Sequence, residues 1–93
     1  MDWTMVRDAD NKEGRLQTLV YLFRIRYEID AQSAAKKLQG EHPGNWLCAL
    51  VLDELRAELT APSMNLGVGS LVPEAEAREY MSAVLCAYDN SSN

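Results

Sequence analysis

The residues of this chain that could do chemistry are few and scattered. There is one histidine, His42, there are two cysteines, Cys48 and Cys86, and some glutamates lie about one helical turn apart, Glu54 with Glu58 and Glu76 with Glu79. Acid–base or nucleophilic catalysis needs such groups positioned within hydrogen-bond reach of one another. His42 instead lies in the turn Gly40-Glu41-His42-Pro43-Gly44, where an imidazole is solvated. Cys48 and Cys86 fall at apolar positions of separate helices, with no Cys-x-x-Cys pair and no histidine cluster, which reads as buried, inert thiols. Glutamates at one-turn spacing also describe an ordinary solvated helix face. No His-Glu-x-x-His, Glu-x-x-His or Cys/His metal spacing occurs. Gly67-Val68-Gly69 opens like a dinucleotide fingerprint, but Val72 occupies the third glycine position, no strand precedes it and no phosphate-binding lysine follows. The expectation is a non-enzymatic protein with no cofactor and no metal.

Charge and hydropathy narrow the partners. The net charge is −5, with residues 15–40 positive and the segments before and after them negative. An acidic chain of this kind is a poor nucleic-acid binder. Ala31–Leu38, the glycine-bounded turn and the helix beginning at Trp46 imitate a helix-turn-helix in outline. The would-be recognition helix, however, starts Trp46-Leu47-Cys48-Ala49-Leu50, side chains that cannot read base edges. No apolar run reaches the ~18 residues of a membrane span, and Met1-Asp2-Trp3-Thr4-Met5 is not a secretory leader. A cytoplasmic protein that binds neither nucleic acid nor membrane is expected.

The elements that must position these residues are helical throughout. With 93 residues and 47% hydrophobic content, the chain supports one domain without staples. The spacing predicts an all-α bundle with no sheet, built from three main helices, or four if Asp30 caps a separate helix over Ala31–Leu38. A long first helix is expected from about Lys12 to Gln39, ended by Gly40 and Pro43. The second should run from about Trp46 to Leu59 behind an Asn45 cap, and the third from Pro73 to about Asp89. Residues 1–13 read as a flexible arm, with Trp3 either folded back on the domain or free to anchor a partner. The domain then spans 14–89, and 90–93 read as disordered.

The first helix carries the functional argument. At 100° per residue, Leu16, Leu19, Val20, Phe23 and Tyr27 share one face, while Leu22, Ile25 and Ile29, with Tyr21 at the edge, lie roughly 210° away. Helices apolar on both sides are normally buried on both. A first helix of about 40 Å outruns later helices of roughly 21–25 Å, so part of it should stay uncovered. This points to a protein-binding surface made of Tyr21, Leu22, Ile25 and Ile29, with a second patch at Trp46, Leu50 and the loop residues Met64 and Leu66. The function that follows is regulation by docking on another protein, as an inhibitor, anti-activator or adaptor, with homodimerisation through the first-helix stripe also expected. A helical pocket for an apolar small molecule is the alternative from another class, and weak helix-turn-helix-like DNA binding is a third.

Overall fold

Polar side chains at the helix starts define the architecture. In the computed structural model, which describes residues 1–42 and 44–91, Asn11 accepts from the Gly14 amide, Asp30 from the Ser33 amide and Asn45 from the amides of Leu47 and Cys48. Each cap satisfies donors that the first helical turn leaves orphaned. The helices are α1 (Trp3–Arg7), α2 (Lys12–Tyr21), α3 (Ala31–Glu41), α4 (Trp46–Thr60) and α5 (Glu74–Ser91), with a π-helical turn, Leu22–Arg26, continuing α2. Among the described residues there is no sheet, only an isolated antiparallel bridge between Val68 and Val72. No helix among them is long and apolar enough to cross a membrane.

The long first helix is not formed. Beyond Tyr21 the backbone widens to i→i+5 bonding, with the Tyr27 amide donating to the Leu22 carbonyl. Glu28 then takes a left-handed conformation (φ 51°), and Asp30 restarts the helix as α3. A 100° wheel fails across such a turn, because it holds more residues than an α turn and its side chains rotate out of register. The helix then continues through Gly40 to Glu41, while Pro43, the anticipated stop, lies outside the described residues.

The core is one cluster. Leu16, Leu19, Val20, Leu22 and Phe23 meet Val51 and Leu55 of α4 and Met81 and Val84 of α5, all fully enclosed. Ala34, Ala35 and Leu38 form the buried side of α3, whose main neighbour is α5. Small residues permit that close approach, as their spacing suggests. The Tyr80 hydroxyl donates to the Ile29 carbonyl at 2.7 Å and ties α5 to the break between the π turn and α3.

The N-terminal residues are docked, not a flexible arm. Val6 is fully buried, Trp3 packs on the core, and the Asp2 amide donates to the Tyr27 hydroxyl at 2.9 Å. At the other end, Asn90 and Ser91 of the expected disordered tail belong to α5, and residues 92 and 93 lie outside the described residues.

Candidate protein-interaction surface

The eight residues expected to bind a partner separate into three environments. Leu22 and Leu66 are completely enclosed and have no surface to offer. Leu22 is still in α register with α2, its amide reaching the Leu19 and Thr18 carbonyls, and it is enclosed because other members of the core cluster cover that side of the helix; Leu66 is enclosed by the fold-back of the connection between α4 and α5. Tyr21, Ile25, Ile29 and Met64 are half-buried and packed against the core. The second apolar stripe of the first helix is therefore largely consumed inside the domain. Trp46 and Leu50 alone of the eight face solvent, at 68% and 36% exposure.

Those two side chains belong to a longer row. Trp46, Leu50, Asp53 and Ala57 follow i, i+4, i+7 and i+11 spacing along α4, and all four are exposed. Ion pairs hold the helix on either flank of the row. On one flank Arg15 of α2 grips Glu54 at 2.6 Å and 3.0 Å. On the other, Arg56 forks onto both oxygens of Asp89 in α5, an arrangement that raises the arginine pKa and lowers that of the carboxylate. No base pairs with Asp53 among the described residues. The spacing of α4 puts Ala57 near Trp46 and Leu50, while Asp53 reads in the sequence only as a polar position, although its spacing from Trp46 was a sufficient signal for the row.

The far end of α4 is organised around a buried charge. The Glu58 side chain, 1% exposed, accepts from the amides of Ser63 and Met64, the Ser63 hydroxyl and the Arg78 guanidinium. Burial pushes its pKa up, but the Arg78 and amide hydrogen bonds outweigh burial and hold it down at about 2. Arg78 also binds the Met64 carbonyl and Glu74, and Glu74 receives the amides of Leu66 and Gly67. Gly67 is required here, since a Cβ would sit 2.8 Å from the Glu74 nitrogen and 2.9 Å from the Val72 oxygen. This network ties down the connection between α4 and α5. Of its two carboxylates, Glu58 reads in the sequence as a solvated helix position and Glu74 as a negative charge at the positive end of the third helix.

The remaining chemical groups are dispersed. Cys48 is enclosed, its thiol pushed up to about 11 by burial and by the Glu41 carboxylate, while Cys86 is exposed, contrary to its expected burial. His42 lies edge-on to Tyr88, with ring centres 6.5 Å apart. No group of three or more His, Cys, Asp or Glu side chains among the described residues could hold a metal. Two larger surface grooves, of about 470 Å³ beside Met5, Tyr21 and Val68 and about 330 Å³ beside Arg24 and Tyr80, are open to solvent and have both polar and apolar walls. No protein-family model, curated protein or solved structure matches this chain.

Proposed function

We propose that this protein is a non-enzymatic regulator that docks on another protein through the exposed row of α4, acting as an inhibitor, anti-activator or adaptor by covering a surface of its partner. The observation that carries this reading is Trp46, two-thirds exposed and one turn from exposed Leu50, on a helix whose flanks are held by ion pairs. Isolated exposed leucines are ordinary on protein surfaces. A tryptophan paired with a leucine on a rigid helix is the kind of anchor that dominates interface energetics, where truncation of a central aromatic costs about 2 kcal/mol or more, roughly thirtyfold in affinity.

The alternatives have less support. An apolar ligand in either groove would stay partly wet between walls of mixed polarity. Duplex binding would have to use the start of α4, which presents an indole and a leucine to solvent. Homodimerisation through Leu22, Ile25 and Ile29 loses Leu22 to the core.

The test is differential capture from native lysate by immobilised wild-type protein and by a Trp46→Ser, Leu50→Ser double variant, with circular dichroism to verify folding. A stoichiometric protein partner retained by wild type and by an exposed-loop control, Leu71→Ser, should disappear from the folded double variant. Equal capture by all three, or no partner with wild type, would reject the reading.

A further inference from the structure

We infer that the occupant of the α4 row is a basic amphipathic helix of a different protein. The inference rests on the reading of Trp46 and Leu50 as a docking face and adds the chemistry of what covers it. The row from Trp46 to Ala57 is about 17 Å long on a 15-residue helix of about 22 Å, and it is graded in size. Trp46 and Leu50 are the large side chains of its first half, while Ala57 puts only a methyl group in its second. A facing helix of similar length can therefore lay small side chains over the indole and large ones over the alanine, as helix-in-groove recognition requires.

Charge decides between a foreign helix and a second copy of this one. Antiparallel pairing of α4 with itself would set Trp46 over the small side chain of Ala57, a good fit in size. The same register places Asp53 of each copy against Leu50 of the other. Two carboxylates would then lose water in the middle of the seam without a counter-ion. Arg56 feels the Asp53 charge but spends its hydrogen bonds on both oxygens of Asp89, and Arg15 is paired with Glu54, so neither arginine forms an ion pair with Asp53. Each copy also carries a net charge of −5, so approach is repulsive at long range. A lysine or arginine opposite Asp53 reverses both effects: it pairs the exposed carboxylate, and the acidic chain attracts the basic helix as it approaches.

Two helical peptides about as long as α4, sharing one leucine/alanine seam and carrying either lysines or glutamates beside it, provide the probe. They are titrated into a Trp3→Phe variant, so that fluorescence reports Trp46 alone; the Trp3 indole nitrogen has no hydrogen-bond partner to lose. The lysine peptide should blue-shift the Trp46 emission and bind about tenfold more tightly than the glutamate peptide, an advantage that Asp53→Asn or high salt removes. Equal binding of both peptides, lost in Trp46→Ala, would overturn the basic-partner inference and leave the docking face intact. Sedimentation showing a dimer that Trp46→Ala dissociates would overturn it in favour of a second copy. A monomer that binds neither peptide would overturn the docking face along with it.

Discussion

At the start of α4 a tryptophan stands in water, and at its end a carboxylate stands in the core. The two placements reverse the usual sorting of side chains, and what differs between them is the supply of partners within the chain. Glu58 is enclosed because Arg78, Ser63 and Met64 bring donors to it. Trp46 lies where the flanking ion pairs, Arg15–Glu54 and Arg56–Asp89, hold neighbouring helices beside α4 without covering its outer row. The Glu58 end is thus satisfied from inside the molecule. The Trp46 end, on our reading, is satisfied from outside it.

This contrast can be broken most severely at Glu58. Replacement by alanine leaves Arg78 half-buried with one carboxylate fewer and strands the Ser63 and Met64 amides. We expect a loss of about 3–5 kcal/mol in urea unfolding; a loss below about 1 kcal/mol would mean that the network stabilises nothing. Arg78→Met should be milder, about 2 kcal/mol, because Glu58 keeps its bonds to Ser63 and Met64. Acid sharpens the comparison further. With its folded pKa held at about 2 against an ordinary 4.5, Glu58 contributes stability that is fully present above about pH 4.5 and is lost as pH falls toward 2. The urea midpoint of wild type should therefore fall across this window, and the fall should be shallower in Glu58→Ala; parallel curves would remove Glu58 as its source. The smallest effect belongs to the opposite end, where Trp46→Ala should change folding stability by no more than about 0.5 kcal/mol. A loss of 2 kcal/mol there would make Trp46 a structural residue and sink its role as a docking anchor.

Much of the helical layout was legible because it is written in local signals. Asn45 and Asp30 cap where their side-chain chemistry and position suggested, Ala34, Ala35 and Leu38 face α5, and α5 begins directly after Pro73. The π turn was not legible, since nothing in Leu22-Phe23-Arg24-Ile25-Arg26 marks i→i+5 bonding. Leu22 itself lies before that change of register, so its enclosure was decided by which elements pack against its side of α2, and no local pattern encodes that. The enclosure of Leu66 escaped for a different reason: it depends on Glu74, Glu58 and Arg78, residues up to 20 positions apart, converging on one loop. Trp46 and Leu50 could be placed outside the main stripe of α4 from periodicity. Their exposure, however, was decided by where the other helices pack, which no local pattern encodes.

The Glu58 network also gives this small fold a stretch of backbone whose hydrogen bonding can be switched by a proton. Helix amides donate to carbonyls, which do not titrate; the Ser63 and Met64 amides donate to a carboxylate that does, in the acid range at about 2. In hydrogen-exchange terms, their protection measures the ionisation of one side chain more than the strength of any helix. Acidification should release them while the amides of α2 and α5 remain slow to exchange, so that the connection loosens before the bundle does.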